Sequence, residues 1–174
     1  MRKQTEQIRY SHVFEIPAEE FQARRAKVLL AMEEERLDCL AFFAPSSVFY
    51  LCGFDFIVTE RPIVYLLWAD GFTEMIIPRL EVEHVEMTAY GIDKVTHYTD
   101  YPGPRHPMLF LKDMLLARSS HARIGADYIG SPAYQGYEGP TIAELCPDSE
   151  LVVKPRMIEM MRRVKSEVEI SLIK

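Results

Sequence analysis

The sequence predicts an α/β fold, a three-layer α/β/α sandwich on a mixed sheet. Three observations predict it. Short β-rich apolar runs alternate with stretches of helical period, the pattern of a largely parallel sheet with helices on both faces. Residues 37–43 (LDCLAFF) form a continuous apolar run, as a strand buried on both sides should. Asp70-Gly71 lies between two β-rich runs, and this hairpin signal forces at least one antiparallel pair into the sheet.

The elements follow in chain order. Residues 1–16 are mixed, with a β-like piece at 9–14. Pro17 opens a helix whose first turn holds Glu19 and Glu20, where the helix dipole favours them. Phe21, Val28, Leu29 and Met32 form its expected buried face, and Glu33, Glu34 and Glu35 its wet end. Pro45, Ser46 and Ser47 break the apolar run and start a short helix through Tyr50 and Leu51, which Gly53 ends. Residues 61–68 (RPIVYLLW) and 72–77 (FTEMII) are the hairpin strands. A helix over 81–89 and a strand over 94–98 come next. The loop 100–107 precedes a helix over 108–118 and a strand over 122–126. Residues 141–146 read as the end of a helix that begins somewhere after Pro132, and 150–153 as a last strand.

The final stretch is the most suggestive. Met157, Met161, Val164, Val168 and Leu172 fall at helical spacing. Ser166 with Glu169 makes an S-x-x-E capping box, a helix-start signature. A helix of nine residues is marginal alone in water, so its apolar positions need a partner. The expected organisation is therefore a domain over 1–155 and, over 156–174, the start of a connection to a second domain.

Composition narrows the function. The 174 residues suffice for one well-packed domain. The net charge of -6 argues against nucleic acid as a partner, because phosphate binding needs a basic surface. The cluster Arg156, Arg162, Arg163 and Lys165 reads as a solvated helix face. Three cysteines, Cys39, Cys52 and Cys146, lack metal-type spacing and read as free thiols, which fits a reducing cytoplasm. No signal peptide and no apolar run of membrane-spanning length is visible.

Motifs for chemistry are sparse. No glycine-rich phosphate loop, nucleophile elbow or H-E-x-x-H occurs. His97, Asp100 and His106, with Asp127 as a fourth ligand, are the nearest approach to a metal cluster, and their spacing matches no ligand pattern. Glu81, Glu83, His84 and Glu86 read as a wet helix face. Residues 128–139 (YIGSPAYQGYEG) read as a loop with aromatic anchors. Nothing combines a nucleophile, a base and an orienting group.

Four segments together resemble the amino-terminal domain of the creatinase, prolidase and Xaa-Pro aminopeptidase family, the pita-bread metallopeptidases. They are RRAKVLLAMEEERLDCLAFF (24–43), SSVFYLCGF (46–54), RPIVYLLWADGFTEMIIPRLE (61–81) and MRRVKSEVEISLIK (161–174). The second is close to the family's asparagine-hydrophobic-tyrosine-leucine-threonine/serine-glycine-phenylalanine segment, with Cys52 where threonine or serine is usual. The resemblance covers about residues 20–174.

The resemblance implies a ribonuclease-H-like three-layer domain without that enzyme's chemistry. It implies a chain that is non-catalytic by itself and holds no metal. Two divalent ions belong to a carboxy-terminal catalytic domain, where they activate water for amide hydrolysis. The role implied is oligomerisation and substrate access to a neighbouring subunit's active site. The implied partners are the chain's own catalytic domain, a second subunit as homodimer, and a peptide with proline at its second position. Counting from Gly53, the arginine that creatinase supplies to a substrate carboxylate in the neighbouring site falls on Arg61. Phe54, Phe56 and Thr59 belong to the same loop, and Thr59 stands where creatinase carries an aromatic, which counts against creatine as substrate. Two alternatives share the fold: a stand-alone protein- or peptide-binding module, and the amino-terminal domain of a creatine amidinohydrolase-like enzyme.

Overall fold

The computed structural model describes residues 16–99 and 103–174. The β-like piece expected at 9–14 and Asp100 lie outside the described residues. The elements are α1 (Ala18–Glu35), β1 (Cys39–Phe42), α2 (Pro45–Cys52), β2 (Val64–Trp68), β3 (Thr73–Pro78), a 3-10 turn (Arg79–Glu81), α3 (Val82–Thr88), β4 (Lys94–Tyr98), α4 (Met108–Arg118), β5 (Arg123–Ala126), α5 (Ile142–Leu145), β6 (Glu150–Val153), α6 (Met157–Met161) and α7 (Glu167–Ile173).

The strands form one sheet in the order β4-β3-β2-β1-β5-β6. β2 pairs antiparallel with both β1 and β3, whereas β3–β4, β1–β5 and β5–β6 are parallel. β2 alone runs against the others, so the carboxyl ends of the remaining strands share one edge. The mixed sheet expected from Asp70-Gly71 is thus present. That hairpin closes with a three-residue loop in which Gly71 takes φ +87°, a left-handed value that glycine tolerates best. The Phe72 amide donates to Asp70 Oδ1 at 3.0 Å, and Arg118 of α4 donates to Asp70 Oδ2 at 2.7 Å.

Period-2 alternation divides the core into two layers. Cys39 and Ala41 of β1, with Val64, Leu66 and Trp68 of β2, face α4 and α5. Leu40 and Phe42, with Tyr65 and Leu67, face α1, α2, α3 and α6. β1 is buried along its whole length, as its unbroken apolar run requires. The three-layer α/β/α sandwich follows directly from this division.

Three local expectations need correction. The buried face of α1 is Phe21, Arg24, Val28 and Met32, with Leu29 only half-buried. Arg24 occupies a stripe position three residues after Phe21 and four before Val28, and its charge is neutralised in place. The helix ending near Cys146 does not reach back toward Pro132. It is the single turn α5, begun by a capping box in which the Thr141 hydroxyl accepts from the Glu144 amide and the Glu144 carboxylate accepts from the Thr141 amide. The terminal apolar stripe does not belong to one helix. The chain breaks between α6 and α7, leaving Val164 77% exposed, while Ile158 of α6 is buried against the sheet.

Candidate functional site

The chain leaves β1 at the carboxyl edge of the sheet, where open α/β sheets place their ligand crevices. Two devices shape this corner. Asp127, just beyond β5, is buried and accepts from the Phe43 amide at 2.7 Å and the Ala44 amide at 3.0 Å. These bonds tie the start of α2 to the end of β5. Burial pushes the Asp127 carboxyl up to about 6, against the lowering effect of the Phe43 and Ala44 amides and the Ser47 hydroxyl.

The second device is at the other end of α2. Gly53 has φ +82° and gives the helix a left-handed stop. A Cβ there would lie 3.0 Å from Phe21 Cζ and 3.2 Å from the Thr88 carbonyl oxygen, so glycine is needed for close approach as well as for conformation. The exposed carbonyls of the last turn find donors elsewhere in the chain. Arg24 Nη1 donates to the Tyr50 carbonyl at 3.1 Å, Arg25 Nη1 to the Leu51 carbonyl at 2.9 Å, and the Tyr90 amide to the Cys52 carbonyl at 2.7 Å.

Beyond Gly53 the chain runs as the loop that carries Phe54, Phe56, Thr59 and Arg61. Phe54 is completely buried, stacks on Phe56 with ring centroids 5.6 Å apart, and meets the His84 ring edge-on at 4.9 Å. Phe56 is half-buried. Thr59 Oγ1 accepts from the Arg61 amide at 3.2 Å, a local turn that sets the arginine's direction. The Arg61 side chain is 38% exposed and pairs with Glu60 at 2.7 Å. Phe56, Thr59 and Arg61 line an open cleft of about 380 Å³, together with Asp55, Glu81 and His84. Phe54 is the anchor beneath that cleft.

His84 is the cleft residue that sequence reasoning missed. Its Nδ1 is 3.0 Å from Glu81 Oε2 and its Nε2 3.6 Å from Asp55 Oδ1. The imidazole thus bridges the 3-10 turn after β3 and the loop after α2. Glu83 and Glu86 face solvent as expected, but the half-exposed His84 turns toward Glu81 and Asp55. Only its spacing of three from Glu81 hinted at the pair.

The candidate metal residues do not converge. His97 is exposed on β4 and Asp127 follows β5, four strand spacings away, on the order of 19 Å. His106 precedes α4, where its Nδ1 accepts from the Met108 amide at 3.1 Å, and burial depresses its basicity. Among the described residues, no group of three or more His, Cys, Asp or Glu side chains is placed to hold a metal ion. No helix there is long and apolar enough to cross a membrane.

The fold and this corner define an α/β/α domain with a loop cleft at the carboxyl edge of its sheet. A family model described as Creatinase/Prolidase N-terminal domain matches residues 24–164. The chain belongs to that family. No curated protein sequence matches it.

Solved structures share the fold. A proline dipeptidase from Streptococcus pneumoniae is 22% identical with a TM-score of 0.63, over 82% of this chain and 98% of that one. Dipeptidase PepE from Mycobacterium ulcerans is 18% identical with a TM-score of 0.70, over 90% of this chain and 40% of that one. An Xaa-Pro aminopeptidase from Streptococcus pyogenes is 17% identical with a TM-score of 0.62, over 84% of this chain and 100% of that one. This chain therefore spans about two fifths of the Mycobacterium protein and nearly all of the two streptococcal chains.

Proposed function

We propose that this chain is the non-catalytic amino-terminal domain of an Xaa-Pro aminopeptidase- or dipeptidase-like metallohydrolase. It serves oligomerisation, as a homodimer in the cytoplasm, and substrate access to a neighbouring subunit's active site. Residues 156–174 lead to the catalytic domain, which binds two divalent metal ions and cleaves peptides with proline at the second position. The family match over residues 24–164 carries this reading.

The loop geometry supports the access role. Phe54 is locked in the core, so the segment has a rigid base. Beyond it, Ile57 is 86% exposed, an apolar side chain available to a neighbouring subunit. Arg61 presents a guanidinium fork that, among the described residues, pairs with its neighbour Glu60, a pairing that a substrate carboxylate can exchange for its own. Thr59 orients that arginine, and Phe56 supplies an apolar wall to the cleft.

Reading the gene past codon 174 tests the proposal. A frame that continues into a domain with two aspartates, a histidine and two glutamates in order supports a dinuclear peptidase. Continuation with those ligands replaced supports a creatinase-like or non-catalytic parent. A stop codon at that point overturns the enzyme reading in favour of a binding module.

A further inference from the structure

The junction between α1, α2 and α7 holds a closed network of buried charge. Arg24 is 3% exposed. Its Nε donates to Glu20 Oε1 at 2.9 Å, its Nη1 to the Tyr50 carbonyl at 3.1 Å, and its Nη2 to Glu169 Oε1 at 3.1 Å. The guanidinium also lies 4.3 Å from the centroid of the Tyr50 ring. The Ser166 hydroxyl donates to Glu20 Oε1 at 2.8 Å, and the Ser166 amide to Glu169 Oε2 at 2.9 Å. Each carboxylate thus serves both Arg24 and the start of α7.

This network adds directional bonds to the partial apolar packing of α7. α7 has no fully buried residue, with Val168, Ile170 and Leu172 half-buried, so these polar bonds carry a substantial part of its attachment. The same guanidinium holds a terminal carbonyl of α2 four residues before Phe54. One fork therefore touches both the helix that ends the chain and the helix that launches the cleft loop.

We infer that Arg24 is a positioning residue that couples α7 to the carboxyl end of α2, and through it to the base of the loop carrying Phe56, Thr59 and Arg61. The functional meaning of the coupling rests on the access reading, because only then do α7 and the loop serve different parts of one enzyme. A planar fork suits the task and an ammonium does not. Lysine at this position reaches a carboxylate as a point charge but cannot serve Glu20, Tyr50 and Glu169 in one plane.

Amide hydrogen exchange on this chain tests the coupling. The Ile170 amide, which donates to the Ser166 carbonyl, reports on α7. The Gly53 and Tyr90 amides, which donate to the Phe49 and Cys52 carbonyls, report on the end of α2. In Glu169→Ala, exchange at Ile170 is expected to quicken about tenfold or more, and at Gly53 and Tyr90 about threefold or more, with the Leu66 amide in the sheet unchanged. In Arg24→Lys, both reporter groups quicken together. Faster Ile170 with unchanged Gly53 and Tyr90 overturns the coupling, and so does an equal acceleration that includes Leu66, which marks general loss of stability. Should Arg24→Lys fail to fold, Glu169→Ala decides alone, since Glu169 lies at the edge of the network with 15% of its side chain exposed. Exchange is read without substrate, so failure of the coupling leaves the access role standing, and the reverse.

Discussion

Asp127 is expected to make the stability of this domain fall as pH rises through the weakly acidic range. The carboxyl is 4% exposed, and burial raises it from the ordinary 3.8 to about 6. A folded state with the higher value binds more protons than the unfolded chain between those limits. Stability from this group is therefore complete below the unfolded value and declines until pH passes the folded value. The difference between the two values corresponds to about 3 kcal/mol. The assay is urea unfolding at intervals from pH 4 to 7.5 on the native chain and on Asp127→Asn. The asparagine cannot ionise, and its NH2 group meets one of the Phe43 and Ala44 amides donor to donor, where the protonated carboxyl keeps a hydroxyl oxygen that can accept, so it is destabilising at low pH by about 1–3 kcal/mol. Subtracting the two curves cancels the other titrating groups. The native chain should lose its advantage over the variant as pH rises. A difference that is flat, or that grows with pH, would refute the reasoning, because the two amide bonds would then outweigh burial.

Other outcomes follow from the same corner and from the core. Gly53→Ala forces a left-handed backbone on a side chain pressed against Phe21 and the Thr88 carbonyl, costing about 2 kcal/mol; calorimetry should show Tm lowered by about 4–8 °C. Burial pushes the Cys52 thiol up to about 12 and the Cys39 thiol still higher; both should resist a disulfide reagent at pH 8 in the native chain and react fully after unfolding. In a full-length enzyme of the proposed type, Arg61→Ala should raise KM for peptides about tenfold or more with a smaller change in kcat, since a charge-assisted hydrogen bond contributes about 1.5–3 kcal/mol. Unchanged KM would remove Arg61 from the access role.

Much of the architecture was legible because local signals and burial agreed. The apolar run of β1, the Asp70-Gly71 turn and the Gly53 stop each point to one conformation, and the structure adopts it. The short helix α5 was legible in principle, since Thr141 and Glu144 form the same capping signature as Ser166 and Glu169. The proline-to-helix reading of residues 132–146 masked it. At the cleft, Phe56, Thr59 and Arg61 were found through resemblance to a family, not through any pattern in the residues themselves. Their shared cleft adds His84 and Glu81, which come from a different element.

The alternation of elements, the mixed sheet and the family are written along the chain, because these rest on periodicity, turn chemistry and ordered motifs. Long-range folding buries Arg24, makes Asp127 a bracket between the end of β5 and the start of α2, and turns His84 toward the cleft. Each of these depends on partners far away in sequence: Glu169 for Arg24, Phe43 and Ala44 for Asp127, Asp55 for His84. A polar side chain in an apolar stripe is costly to bury until its partners arrive, and no local pattern records which partners will.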